Sequence, residues 1–150
     1  MIGNDEIVSN EHSQYAGFWV RMVASIIDSV LILMLTLPIL YLIYGEAYFD
    51  SKELVQGGGD FFISYLLPIG VIILFWIYKS ATPGKIALSI IIVDEKTGGK
   101  PSIKQYVIRY IGYYVSLVPL GLGFIWVALD EKKQGWHDKM AGTVVILDAK

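Results

Sequence analysis

The feature that most constrains this chain is an almost wholly apolar run at residues 15–44. A helix needs about 20 apolar residues to cross a hydrocarbon core of about 30 Å, so this run predicts a membrane-spanning helix at 16–44. Two charged residues, Arg21 and Asp28, interrupt it. An ionisable residue at membrane depth costs about 2.5–3.5 kcal/mol on insertion scales and normally faces protein or water. We therefore place Arg21 and Asp28 at the centre of whatever the protein does.

The composition also predicts a membrane protein. Hydrophobic residues make up 55% of the chain and charged residues 17%, against about 25% charged in soluble domains. The lipid bilayer is therefore the first expected partner. Residues 1–14 form a polar arm without the positive start or cleavage site of a signal peptide, so we expect the first span to be retained.

Several classes of site are not expected. The chain has no cysteine and two histidines, which excludes disulfides and zinc–thiolate sites and makes a metal or other cofactor unexpected. A net charge of −2 does not predict a nucleic-acid partner, which would require a basic patch.

One face of the first helix carries most of its polar residues. Arg21, Ser25, Asp28, Ile32 and Thr36 recur at spacings of three or four, which places them on the same side of a helix. This face is expected to point into a helical bundle. Ser29, and His137 from the end of the chain, complete the supporting polar set.

A second span is predicted at 61–78, after a polar loop at 45–60. Pro68 and Gly70 interrupt this span near its middle. Membrane helices tolerate such interruptions when neighbouring groups satisfy the freed backbone, so a bend within a packed bundle is expected.

The remaining chain alternates short elements with one more apolar segment. We expect a short amphipathic element at 84–88, a strand at 89–94, a polar connector at 130–139 and a strand at 142–147. The β-branched composition of the two strands is typical of sheets, and they are expected to pair, because pairing would cover their edges.

The apolar segment 102–129 has two interpretations, since prolines and glycines at 118–123 cut it in half. One is a single third span, and the other is a broken hairpin that enters and leaves on one side. Residues 79–109 hold six Lys and Arg residues, so this segment and the N-terminus are predicted to be cytoplasmic. The hairpin is favoured because it keeps the C-terminal lysines and the second strand on that side.

Three separated motifs match the RDD family, small prokaryotic membrane proteins named for one arginine and two aspartates. They read AGFWVR at 16–21 with IIDS at 26–29, TPGK at 82–85 followed by IIVD at 91–94, and WHDK at 136–139 followed by AGTVV at 141–145. The resemblance covers about residues 15–147, leaving 148–150 as a short tail. It implies an integral membrane protein of largely unassigned function, with transport of ions or other ligands suggested and cation/proton antiport suggested for some members. We carry Arg21, Asp28 and Asp138 over as the signature residues.

Arg21 and Asp28 are not expected to pair with each other. Seven helical residues separate their Cα atoms by about 10.5 Å, and Arg21 leans away from Asp28 because side chains tilt toward the helix N-terminus. We predict instead that Arg21 pairs with Asp138, and that hydroxyls, amides or a cation satisfy Asp28. Arg21 could alternatively reach the interface by itself, and Asp28 could be a structural carboxyl or one that carries a proton or cation.

The sequence thus predicts an all-α bundle of three to four membrane segments with a two-stranded β element on the cytoplasmic side. A multi-pass protein of the cell membrane that moves ions or small ligands is the first functional hypothesis, with a homo-oligomer as a further expectation. A membrane scaffold whose charges only fasten helices is the alternative. Adjacent His137 and Asp138 invite a catalytic interpretation, but we expect a structural turn and no enzyme.

Overall fold

The computed structural model describes residues 14–148. The polar arm predicted at 1–14 therefore lies outside the described residues apart from Gln14, as does the tail beyond Asp148. The described chain is mostly helical and ends in a small sheet. Its helices are α1 (Phe18–Tyr44), α2 (Ala47–Asp50), α3 (Gly58–Phe61), α4 (Leu67–Lys79), α5 (Pro83–Ala87), α6 (Ile103–Leu117), α7 (Leu122–Leu129) and α8 (Trp136–Ala141), and its strands are β1 (Ile90–Asp94) and β2 (Thr143–Leu147).

Two helices are long and apolar enough to cross a membrane, Phe18–Tyr44 and Gly58–Lys79. Only about 11% of the most apolar window of each is buried inside the protein, so their surfaces require lipid as solvent. The second span begins three residues earlier than predicted. Gly58 and Gly59, expected in the polar loop, form its first turn, and Asp60 accepts a hydrogen bond from the Gln56 N–H at 2.7 Å there.

The interruption of the second span is a widened turn. A π-helical turn, Phe62–Leu66, joins α3 to α4 immediately before Pro68. Proline lacks an N–H and its ring crowds the preceding turn, and a π turn is one way for a helix to relieve that crowding.

Residues 102–129 do not form one continuous helix. Helices α6 and α7 meet at a bend of 101°. The turn between them places Leu120 (φ 56°) and Gly121 (φ 78°) in the left-handed region, which ends a helix. Residues 14–148 therefore contain two candidate spans, or three if the bent pair counts as one.

The two predicted strands pair as expected. β1 and β2 are antiparallel, with Ile90 opposite Leu147 and Asp94 opposite Thr143. Ile90, Ile92 and Val145 are fully buried in a core that also contains Trp76 of α4. The small sheet thus connects the segment that follows the second span to the C-terminal end of the described chain.

The prediction of a polar connector at 130–139 is wrong from Trp136 onward, because α8 begins there. Helix α8 has only six residues, too few to show an apolar periodicity in sequence. Asp138 holds its start by accepting a hydrogen bond from the Gly135 N–H at 3.0 Å, and Gly142 ends it at φ 64°.

Candidate functional site: a buried charge cluster beside a cavity

The centre of the described structure is a carboxylate shared by two arginines. Arg21 Nη1 donates to Asp138 Oδ2 at 2.6 Å, and Arg109 Nη1 donates to Asp138 Oδ1. Asp138 and Arg109 are 0% and 1% exposed. The predicted pairing of Arg21 with Asp138 is confirmed, and the structure adds a second guanidinium to it.

Further hydrogen bonds join this charge cluster (Arg21, Arg109, Asp138) to the backbone around it. Arg21 Nε donates to the Ala16 carbonyl at 2.9 Å, and Arg21 Nη2 donates to the Lys133 carbonyl at 2.6 Å. Arg109 also donates to Thr143 Oγ1 at 2.7 Å. The cluster therefore fastens α1, α6, α8 and the start of β2 to one another.

Sequence reasoning missed Arg109, which we counted only among the basic residues that set orientation. The signal that could have found it is helical spacing, because Tyr106, Arg109, Gly112 and Ser116 lie on one face of α6 and are all buried. Gly112 on this face is required for close packing: a Cβ there would lie 2.7 Å from the His137 Cα.

Two neighbouring groups in α8 have strongly shifted pKa values. Burial alone would raise the pKa of Asp138, but Arg109 and Arg21 outweigh it and hold the pKa well below its usual range. Burial lowers the pKa of His137 to about 3, with Arg109 and Arg21 acting in the same direction and Asp138 opposing them. Asp138 is therefore a permanent anion and His137 a neutral imidazole near pH 7.

Asp28 has different partners. Its Oδ2 accepts a hydrogen bond from the Thr82 hydroxyl at 2.5 Å, and its Oδ1 accepts one from the Gly84 N–H at 2.7 Å. The prediction that a hydroxyl and an amide would satisfy Asp28 apart from Arg21 is confirmed. Both donors come from the TPGK motif, so that motif acts as a polar clamp on α1.

Close backbone contact places this clamp. A Cβ on Gly84 would lie 2.1 Å from the Ala24 carbonyl oxygen, so only glycine allows α5 to approach α1 this closely. The Gly84 N–H can then reach Asp28, which lies one helical turn beyond Ala24.

The predicted polar face of α1 is only partly buried. Ser25, Ser29 and Thr36 each donate to the backbone carbonyl four residues earlier, at 2.9 Å. Thr36 is buried, whereas Ser25 and Ser29 are exposed. Both serines line a cavity, and each satisfies its hydroxyl within its own helix.

His137 packs as an aromatic side chain. Its ring lies 4.6 Å from the Tyr113 ring and 5.2 Å from the Phe124 ring, measured between centroids. Its Nδ1 lies 3.3 Å from the Ser116 hydroxyl. Ser116 is fully buried and Asp138 already binds two guanidiniums, so this Ser–His–Asp order has the features of packing rather than of a nucleophile open to substrate.

A cavity of about 540 Å³ lies between α1 and the bent pair α6–α7. Five of the residues singled out from the sequence line it: Arg21, Ser25, Asp28, Ser29 and His137. Lys85 and Arg109 also line it, and Ile32, Ile72 and Phe124 are among its apolar walls. Thr36 is not part of this wall, and Asp138 lies behind it, bound to Arg21 and Arg109.

No group of three or more His, Cys, Asp or Glu side chains within residues 14–148 could hold a metal ion. The charged groups of the cavity wall are three cations, Arg21, Lys85 and Arg109, and one carboxylate, Asp28. This donor set suits an anion better than a metal.

A model of the RDD family matches residues 15–142 of this chain. The protein belongs to the RDD family. The match includes the charge cluster, the TPGK clamp and Asp28, so it covers every element of the site.

This RDD protein is similar to three uncharacterized proteins. It is 31% identical to YxaI of Bacillus subtilis over 147 residues, covering 87% of this chain and 96% of YxaI. It is 32% identical to YckC of the same organism over 135 residues, covering 87% of this chain and 83% of YckC. RP437 of Rickettsia prowazekii is 39% identical over 74 residues, which cover 49% of this chain and 40% of RP437. The chain thus spans less than half the length of RP437, and no solved structure matches it.

Proposed function

We propose that this RDD protein binds a small ligand in the cavity beside Asp28 and moves it through the membrane. The observation that carries the proposal is Asp28 itself, a carboxylate on the wall of a 540 Å³ cavity among apolar helices. A cavity of about 300–1,000 Å³ with a few convergent polar groups is the usual form of a small-molecule site.

The partners of Asp28 suit a residue that changes state. Asp138 is enclosed between two arginines, whereas Asp28 lies at the cavity wall with neutral partners, a hydroxyl and a backbone amide, which it can exchange for a ligand. Asp28 is the residue we assign to proton or ligand coupling. The family resemblance suggests cation/proton antiport for some members, whereas the three cations of the cavity wall favour an anionic ligand.

The orientation of the chain is part of this proposal. The six basic residues of 79–109 support a cytoplasmic position for that segment and for the N-terminus. β1 pairs with β2, so both strands lie on one side, and a bent pair α6–α7 that enters and returns on that side accommodates this. Two or three candidate spans make a thin bundle, and a homo-oligomer of this multi-pass protein of the cell membrane would enclose a path through the bilayer.

A membrane scaffold is the second candidate. The charge cluster favours it, because Asp138 binds two guanidiniums in the interior and no ligand is required to balance that carboxylate. In this case Asp28 would also serve only to clamp α5 on α1. The scaffold predicts that Asp28→Asn lowers the amount of folded protein and changes nothing else.

Proton-coupled flux in liposomes separates the two candidates. Purified protein is reconstituted with a pH-sensitive dye inside the vesicles, and collapse of an imposed pH gradient is recorded on adding Na⁺, K⁺, Li⁺ or small organic anions. Asp28→Asn is the test variant. Asp50→Asn is the matched control, because Asp50 is exposed and the chemical change is the same.

The proposal predicts flux with at least one of these ligands in the wild type and in Asp50→Asn, and its loss in Asp28→Asn at equal amounts of folded protein. Equal flux in the wild type and Asp28→Asn would contradict the role of Asp28. A wild type that moves none of the ligands would favour the scaffold.

A further inference from the structure

Lys85 is a buried cation for which residues 14–148 supply no counter-ion. The residue is 6% exposed and lines the cavity. Across residues 14–148, no hydrogen bond or ion pair to its ammonium group is formed. Lysines are almost never buried without a partner, because desolvating an unpaired charge is costly. An anionic ligand would supply the missing partner.

The charges around the cavity lead to the same conclusion. Three cations lie in its wall, Arg21, Lys85 and Arg109. Two carboxylates oppose them, Asp28 in the wall and Asp138 behind it. The site therefore has one excess positive charge, and His137 adds none because burial lowers its pKa to about 3.

Arg109 is a second buried cation of the cavity wall. Its Nη1 binds Asp138 and Thr143, but its Nε is buried and, within the described part of the chain, has no hydrogen-bond partner. Because Nε has essentially no accessible surface, Arg109 contributes its charge to a ligand in the cavity and not a new hydrogen bond from Nε. An anionic head beside Lys85 would also be attracted to the charge of Arg109, which lies in the same cavity wall.

The rest of the cavity is apolar. Its walls include Phe18, Ile32, Ile72, Leu117, Phe124 and Val127. A small inorganic anion would leave this surface unfilled, whereas an alkyl chain would bury apolar area against it. The cavity thus combines one cationic end with a long apolar body.

We infer that the cavity binds an amphiphile with one alkyl chain and one negative charge. The charged head lies against Lys85 and Arg109, and the chain lies along the apolar walls between α1 and α7. This inference rests on the proposed ligand-binding function and names the class of ligand. A cationic head would meet three cations, and a neutral head would leave Lys85 unpaired.

Equilibrium binding of dodecanesulfonate tests this, because the probe carries one negative charge at any working pH. Radiolabelled probe is titrated into purified protein in nanodiscs of neutral lipid. Unlabelled dodecanesulfonate, dodecanol and dodecyltrimethylammonium then compete as anionic, neutral and cationic forms of the same chain. The anion is expected to compete best.

Lys85→Met is the test variant and Lys104→Met its control, since Lys104 is exposed on α6 and the charge removed is the same. Loss of a buried charge partner should weaken probe binding by about thirtyfold in Lys85→Met. Lys104→Met should bind as the wild type does. Without ligand, Lys85→Met should also melt at a higher temperature than the wild type, because it no longer buries an unpaired charge.

Equal binding by Lys85→Met and the wild type would overturn the inference. The inference would also be overturned if dodecanol or dodecyltrimethylammonium competed as well as the anion does. In that case the cavity would still be a ligand site, and the proposed function would stand. Absence of saturable binding by any of the three chains would overturn the inference, while the liposome flux measurement decides the proposed function independently.

Discussion

The two aspartates that we took from the sequence lie in opposite environments. Asp138 is fully buried and shared by two arginines from α1 and α6. Asp28 is half-buried at the cavity wall and held by one hydroxyl and one backbone amide. Removing a carboxylate from between two buried cations leaves their charges uncompensated, whereas the partners of Asp28 are neutral and carry no such charge. We therefore assign Asp138 to the framework and Asp28 to the function.

The largest expected effect is at Asp138. Asp138→Asn leaves two guanidiniums in the interior with no counter-charge, so the free energy of unfolding should fall by about 3–5 kcal/mol. The measurement is denaturation by SDS in mixed detergent micelles. Asp50→Asn, at an exposed position, is the control and should change little. If Asp138→Asn lowered the free energy of unfolding no more than the control does, the charge cluster would not stabilise the fold.

The next effect concerns the clamp that holds Asp28. Gly84→Ala places a Cβ 2.1 Å from the Ala24 carbonyl oxygen, so α5 must move away from α1. The free energy of unfolding should fall by about 1–3 kcal/mol. Gly58→Ala is the matched control, since a Cβ there meets nothing within 4 Å. Equal effects of the two variants would show that α5 is not tightly docked.

A pH titration of stability tests whether His137 stays neutral beside the charge cluster. Burial lowers the pKa of His137 to about 3, so the folded protein keeps this imidazole neutral, while the unfolded chain binds a proton below about pH 6.5. The unfolded state binds more protons between those values, and stability therefore falls as the pH falls. From pH 7.5 to pH 5 the loss from this residue should be about 2 kcal/mol.

Two points keep that titration specific. The pKa of Asp138 lies below its usual range, so its contribution to stability is present above about pH 4 and stays constant over this window. His137→Gln, which cannot titrate, should remove the His137 part of the slope. The same slope in the variant and the wild type would mean that His137 is not held neutral.

Much of this fold follows from local patterns in the sequence. The first span, the second span and both strands come from long apolar runs and β-branched composition, which report on local structure. The pairing of Arg21 with Asp138 follows from two charges that each require a partner on the same side of the membrane. Long, strongly patterned elements are the part of a fold that such reasoning reaches.

The parts that could not be predicted depend on tertiary contacts. Helix α8 is too short to carry a periodicity, so its residues resemble a polar connector. Arg109 lies near the start of an apolar segment. An arginine there can be interfacial or buried, and the sequence does not distinguish the two. The cavity lies between α1 and the bent pair α6–α7, and no single residue encodes the 101° angle of that pair.

The most direct test of the account compares one chemical change at the two aspartates. The free energies of unfolding of Asp28→Asn and Asp138→Asn are measured together in the same micelles. An asparagine at 28 can still accept from the Gly84 N–H and pair with the Thr82 hydroxyl, so it should cost only about 1 kcal/mol. The account predicts that Asp138→Asn costs at least about 2 kcal/mol more than Asp28→Asn. Equal losses, or a larger loss at Asp28, would contradict it.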